Sequence, residues 1–247
     1  MDKNILFILE GSRSEPRFLR KLIERTRDGR NYNVFSFNTN IHRMLEGIFD
    51  GEEIDVDLDF LEYLRSCPTV KDDESVLERR FVDIYLIFDM DPQDQGYDPE
   101  RLKKALKYFD DSTDNGKLYI NYPMLESYRH IGNLDDDSYL DLSVAVNDIG
   151  NYKQIAARDG TAIPSDINRI DAETWSKIIE LNLRKANRIT TGDGSIPDWV
   201  SYERCLDQSN IFGAERKMLE SEQRISVLNT SVFNVVDYNP GRYLRIG

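Results

Sequence analysis

The chain alternates short apolar runs with stretches in which apolar residues recur at helical spacing. Residues 4–9, Asn-Ile-Leu-Phe-Ile-Leu, are almost wholly apolar and stop at Glu10-Gly11. Such a run predicts a strand buried on both faces of an α/β sheet. Residues 15–27 then place Phe18, Leu19, Leu22 and Ile23 at helical spacing, with Arg17, Arg20, Lys21, Glu24, Arg25 and Arg27 between them. Ser14 as an N-cap and Pro16 in the first turn mark the start of that helix. Strand, turn and helix in this order open a parallel α/β unit.

The alternation continues. Residues 32–37 predict a second strand. Residues 82–88, Val-Asp-Ile-Tyr-Leu-Ile-Phe, predict another buried strand, ending at Asp89-Met90-Asp91-Pro92. A helix over about 98–110 follows, with Leu102, Ala105, Leu106 and Phe109 on one side. A strand over 117–121 then runs into Tyr122-Pro123-Met124-Leu125-Glu126-Ser127. Between the second and third strands, residues 46–78 carry twelve Asp or Glu against Arg65 and Lys71, with Leu58, Leu61 and Leu64 hinting at a helix. We expect an inserted, solvated helix and loop there. Beyond about 135 the spacing is helical over 138–157, 171–188 and 200–226, with Asp135-Asp136-Asp137 and residues 191–197 as junctions. The expected organisation is an α/β domain over 1–134, built on a mostly parallel sheet flanked by helices, and a mainly helical region over 135–247.

Composition narrows the function classes. The 247 residues are 40% hydrophobic, enough for a substantial core. A net charge of -13 means that the overall field repels nucleic acid, so any contact with it requires a local basic face or a bound metal. The two cysteines, Cys67 and Cys205, lie far apart, which argues against a disulfide framework or a structural zinc site. No signal-peptide layout and no apolar run of transmembrane length occurs, so a cytoplasmic protein without membrane contact is expected.

The strongest chemical signal is acid at strand ends. Open parallel sheets bind ligands outside the carboxyl ends of their strands, and the two clearest strands end in Glu10 and in Asp89 with Asp91. Clustered carboxylates repel one another, and a hard divalent cation with oxygen preference, Mg²⁺ or Mn²⁺, is their natural partner. Such ions align water and stabilise a leaving oxygen in phosphoryl transfer. The competing reading is that these acids merely cap helices or end strands.

A strand ending in Glu-Gly followed by a later strand ending in Asp-x-Asp resembles the TOPRIM domain of topoisomerases, primases and OLD-family nucleases. The run Glu10-Gly11-Ser12-Arg13-Ser14-Glu15-Pro16 and the later Asn121-Tyr122-Pro123-Met124-Leu125-Glu126 resemble, more narrowly, RloB-like proteins of that superfamily. The likeness spans about residues 4–130. It departs from the pattern at Ser14, where Thr is usual, and at Tyr122, which splits the Asn-Pro pair. The resemblance implies a Rossmann-like TOPRIM fold and a nuclease of antiphage defence that cuts DNA or RNA, tRNA included. It implies Glu10 as general acid/base or metal ligand, Asp89 and Asp91 as metal ligands, and Glu15 and Glu126 as ligands of a second ion. It also implies an ATP-hydrolysing partner of the ABC or OLD type, since the chain has no phosphate-binding Gly-x-x-x-x-Gly-Lys-Ser/Thr of its own.

Each further candidate has an ordinary alternative. Glu15 suits the first turn of a helix through the dipole, and Glu126 can lie on a helix surface. His42 and His130 are too few for a histidine-rich metal site. Residues 12–30 hold seven basic residues against Glu15, Glu24 and Asp28, so Arg13, Arg17 and Lys21 are candidate phosphate contacts. Lys103 and Lys104, with Lys107, form a second small basic face. Two other function classes remain in view. One is a HAD-like phosphatase with Asp89 as nucleophile, disfavoured because Asp-x-Asp here ends a later strand and continues into Pro92-Gln93. The other is a non-catalytic TOPRIM-fold interaction module. The long helical second half offers a surface for a homodimer.

Overall fold

The computed structural model describes residues 4–26, 32–55, 59–67 and 74–245. Arg27, Asp28 and Arg30 of the basic stretch, and Asp57, Leu58, Lys71, Asp72 and Asp73 of the acidic one, lie outside the described residues. The first half runs β1 (Ile5–Leu9), α1 (Ser14–Thr26), β2 (Tyr32–Ser36), α2 (Ile41–Ile48), β3 (Phe49–Asp50), β4 (Glu53–Ile54), α3 (Phe60–Ser66), β5 (Asp83–Asp89), α4 (Pro99–Tyr108), β6 (Asp110–Asp111) and β7 (Gly116–Asn121). The second half adds β8 (Ser143–Ala145), α5 (Tyr152–Asp159), α6 (Ala172–Thr191), α7 (Trp199–Cys205), α8 (Gln208–Glu222), β9 (Arg224–Ser226), α9 (Phe233–Tyr238) and α10 (Pro240–Tyr243).

The central sheet has the order β2-β1-β5-β7-β6, with the first four strands parallel and β6 an antiparallel edge. This is an α/β fold with a mostly parallel sheet flanked by helices. All five residues of β1 are buried, as burial on both faces requires. Phe18, Leu19, Leu22 and Ile23 of α1 face inward while Arg17 and Arg20 stay exposed. Asp98 caps α4, accepting from the amides of Glu100 and Arg101, and Pro99 fills its first turn.

The register places the functional ends side by side. Leu9 stands opposite Ile87, and Asp89 opposite Asn121. From β1 the chain steps outward to β2, then returns past β1 to β5. The reversal makes the crevice between β1 and β5 a topological switch point, where open α/β sheets bind ligands. Right-handed crossovers in opposite directions put α1 and α4 on opposite faces.

Three expectations change. The acidic insertion is not simply solvated: Phe60 and Leu64 of α3 are buried, and Phe60 lies 4.9 Å from Phe109, ring to ring. Residues 138–157 are not a continuous helix. They form a 3₁₀ turn, then β8 paired with β9, a second 3₁₀ turn and α5. Ser143, Val144, Asn147, Gly150 and Asn151 are poor helix formers, and pairing with 224–226 outweighs the apolar spacing. Residues 200–226 are likewise not one helix: α7 ends at Cys205, α8 begins at Gln208 and stops before Gln223, left-handed at φ 54°, and 224–226 are freed to form β9. Residues on both sides of position 134 share one hydrophobic core, with Phe18 against Trp175 and Tyr128. Among the described residues no helix is long and apolar enough to cross a membrane.

Candidate functional site

Glu10 leaves β1 with its amide donating to Ile87 O (3.2 Å). Its side chain turns across the crevice, where Glu10 Oε2 accepts the Asp89 amide at 3.0 Å. Asp89, the last residue of β5, is 8% exposed, and Asn121 Nδ2 donates weakly to its Oδ1 at 3.4 Å. Two residues on, Asp91 has φ 42°, a left-handed conformation that Asp tolerates better than most residues. The chain turns there as soon as it leaves the strand, which keeps the Asp91 carboxylate at the mouth instead of beyond it.

Glu15 reaches the same mouth from the first turn of α1. A Cβ added to Gly11 would lie 2.7 Å from Glu15 Oε2 and 3.0 Å from Oε1. Gly11 is thus the residue that leaves room for the Glu15 carboxylate. Glu126 follows β7 in a 3₁₀ turn, where Lys153 Nζ of α5 stands 3.3 Å from its Oε1. Glu126 Oε2 is buried and has no donor.

The electrostatics show how tightly these groups interact. Burial pushes the Glu10 carboxyl up to about 8; the Asp89 amide opposes this, and the charges on Asp91 and Glu15 add to it. Burial, then Glu10, Asp91, Glu126 and Glu15, hold Asp89 well above the usual carboxylate range. Burial also raises Asp91, against which His42 acts, and raises Glu15, with Glu126 adding to the effect. Burial works against the charge on Lys153, but Glu126, Asp89 and Glu15 outweigh it and hold its pKa above normal. Lys153 is the cation that recurs around this group. Neutral pH therefore finds several acids competing for too few positive charges.

Such a set fits a hard divalent cation: every donor is oxygen, and one buried acceptor lacks a partner. Among the described residues no three Asp, Glu, His or Cys side chains already stand at the spacing of a closed cage. Glu10 is turned onto an amide and Glu126 toward a lysine, as repelling carboxylates do when donors are within reach.

The remaining candidates separate clearly. Arg13 is exposed in the loop between Gly11 and Glu15, beside the mouth. Arg17 pairs with Asp166 at 2.9 Å and, with Ser14, Tyr128 and Arg129, lines a notch of about 140 Å³ next to Glu126. Lys21 pairs with Glu24 on its own helix at 2.7 Å. Lys103 is exposed on α4, and Lys104 is held by Glu53 Oε1 (2.7 Å) and Glu52 O (2.6 Å), facing the β3–β4 hairpin. His42 is buried with Nε2 on Met90 O (2.9 Å), and His130 is buried with Nδ1 on Tyr152 OH (3.2 Å).

Three contributors escape a reading by residue type. Lys153 comes from a helix far along the chain, with no spacing that ties it to Glu126. Arg129 sits in an otherwise ordinary turn. Asn121 orients Asp89 while its Oδ1 accepts the Ser231 amide at 3.3 Å. Through Asn121 the acids connect to a buried polar seam: Thr230 Oγ1 donates to Ile120 O (2.7 Å), Asn229 Nδ2 to Leu125 O (2.9 Å), and the Asn229 amide to Asn182 Oδ1 (2.7 Å). The second half of the chain thus braces the loop that carries Glu126.

Fold and site together define a parallel-sheet α/β protein with an acidic crevice at its switch point. Comparison with protein-family models, with curated proteins and with solved structures finds no match.

Proposed function

We propose that the crevice holds Mg²⁺ or Mn²⁺ and hydrolyses phosphodiester bonds of nucleic acid, in the manner of TOPRIM nucleases. The observation that carries this reading is the convergence of Glu10, Glu15, Asp89, Asp91 and Glu126 on one mouth, with Glu126 Oε2 buried and without a donor. Glu10, Asp89 and Asp91 would hold one ion, and Glu15 and Glu126 would complete a second. When bound, the metal supplies Lewis-acid polarisation of a phosphate oxygen and a lowered pKa for a coordinated water.

The chain's own residues do the rest. Without metal the Glu10 carboxyl titrates at about 8, so at neutral pH an incoming ion would displace its proton. Asn121 keeps Asp89 in its orientation. Lys153 lies close enough to exchange Glu126 for an incoming phosphate oxygen. Arg13 at the loop, with Arg17 and Arg129 at the notch, offers the local positive charge that the net charge of -13 otherwise denies a nucleic acid. Regulation by a partner ATPase and a role in antiphage defence belong to the same proposal and rest on the resemblance alone; residence in the cytoplasm is proposed from the two separated cysteines.

The test incubates the protein with plasmid, single-stranded DNA and total tRNA in Mg²⁺ or Mn²⁺, beside Glu10→Ala. Metal-dependent cleavage that the variant lacks is expected. Cleavage that survives chelation would sink the metal mechanism.

A further inference from the structure

Away from the acidic crevice, where β5 and β7 begin, the surface opens into a cleft of about 940 Å³. In its wall Asp237 accepts hydrogen bonds from Lys117 Nζ (2.6 Å), Tyr119 OH and Tyr202 OH (2.7 Å). Its rim carries Asp83, Asp110, Asp111, Glu203 and Asp207, against Lys107 once Lys117 is counted with Asp237. Three of these acids are fixed by neutral donors: Asp83 by Ser112, Asp111 by Thr113, and Asp207 by the Asn210 amide. Neutral donors set their direction and leave their charge.

Apolar surface lies beside this charge. Trp199 is 42% exposed on the cleft wall and stacks on Tyr202 with ring centroids 6.0 Å apart. Val200 next to it is 58% exposed, and Val82, adjacent to Asp83, is 42% exposed. Among the described residues these three are the exposed large apolar side chains; Trp199 lines the cleft, and Val200 and Val82 each follow or precede a lining residue in the chain. Apolar surface on the wall of a charged cleft suits a partner that brings apolar side chains.

A third, independent feature is Gln208. It lines the cleft at 6% exposure, and its Oε1 is buried without any donor. An unmet buried acceptor is costly, so its natural complement is a donor brought by a ligand.

We propose that this cleft docks a basic, partly apolar peptide segment of a partner protein, with an arginine stacked on Trp199 and donating to Gln208. A guanidinium is planar, stacks on indole and carries donors only, which suits all three features at once. The acidic rim repels phosphate and nucleotides. It also disfavours a second copy of this chain, whose net charge is -13.

The test titrates the full chain with the amidated peptide Ac-Arg-Val-Arg-Leu-Arg and with its citrulline counterpart. Trp199 is the reporter: of the two tryptophans, Trp175 is fully buried. The expected result is a saturable change in emission, about tenfold weaker affinity for the citrulline peptide and for Gln208→Leu, and weakening with salt. Calorimetry should find binding lost in Trp199→Ala and unchanged in Glu10→Ala. If Gln208→Leu fails to fold, Gln208→Glu retains the acceptor, adds charge and should bind at least as tightly as the parent. Absence of saturation, equal affinity for the citrulline peptide, preferential binding of adenosine monophosphate, or self-association abolished by Trp199→Ala would each overturn the proposal.

Discussion

A half-buried carboxylate, Asp237, and a buried one, Asp89, lie at different ends of the same parallel sheet. Asp237 is met by an ammonium and two phenol hydroxyls, each donating to it. Asp89 is met by four other acids, and its one side-chain donor, Asn121, is 3.4 Å away. The first arrangement is what a fold builds when a carboxylate is drawn partly out of water for structural reasons: the desolvation cost is offset by matched donors. The second costs stability unless the acids take up protons or share a cation. On the function proposed above, that cation is the metal held at the switch point.

The contrast sets opposite expectations for substitutions at the two ends. Asp89→Asn or Glu10→Ala should reduce metal-dependent cleavage by about a thousandfold, the scale of losing one preorganised electrostatic group. In chelator, Asp89→Asn should melt no lower than the parent, because a repelling acid has gone; Glu10→Ala also strips the Asp89 amide of its acceptor, so its gain is smaller. Asp237→Ala should do the reverse, losing ~3 kcal/mol in urea unfolding because three donors lose their acceptor, with cleavage retained in the folded fraction. Equal destabilisation from both ends would erase the distinction.

The acidic end should also show itself in pH dependence. Glu10 titrates at 4.5 when unfolded and at about 8 when folded, so between these values the folded state binds the extra proton. The contribution of Glu10 to stability in chelator is therefore fullest below 4.5 and is lost as pH rises through about 8. Adding Mg²⁺ should raise the melting temperature far more at pH 8 than at pH 5, since the ion and the proton compete for the same oxygens. Calorimetric scans at the two pH values check this; a metal effect independent of pH would separate Glu10 from the ion.

A subtler change acts on Glu15 alone. Gly11→Ala places a methyl 2.7 Å from Glu15 Oε2, so the carboxylate must move. We expect about a tenfold loss of cleavage and a higher Mg²⁺ requirement, comparable to disturbing a metal ligand's support. Circular dichroism should remain that of the parent.

How much of this was legible in the chain follows from the range of each interaction. β1 and β5 were plain because both faces of a parallel strand are buried, which leaves an unbroken apolar run, and the acids behind them were plain for the same reason. Residues 138–157 misled because the spacing of Tyr139, Ile149, Tyr152 and Ala156 mimics a helix, while β8 is decided by pairing with residues some eighty positions away. Lys153, Asn121 and Gln208 look ordinary by residue type. Lys153 matters through Glu126, Asn121 through Asp89 and Ser231, and Gln208 through the donor it lacks. None of these relations is local in sequence.

The smallest expected effect separates two lysine- and arginine-bearing faces that composition alone treats alike. Arg13 is exposed between Gly11 and Glu15, whereas Lys104 is occupied by Glu53 and Glu52 on the far side of α4. Arg13→Ala should weaken nucleic-acid binding severalfold and lower the salt slope by about one, the signature of one lost phosphate contact. Lys104→Ala should leave both binding and cleavage within about twofold, since its removal costs only an exposed ion pair. Filter binding across a salt series measures both. If Lys104→Ala lowers the salt slope as much as Arg13→Ala does, the strand must cross α4 as well, and the basic path begins farther from the acids than the mouth of the sheet.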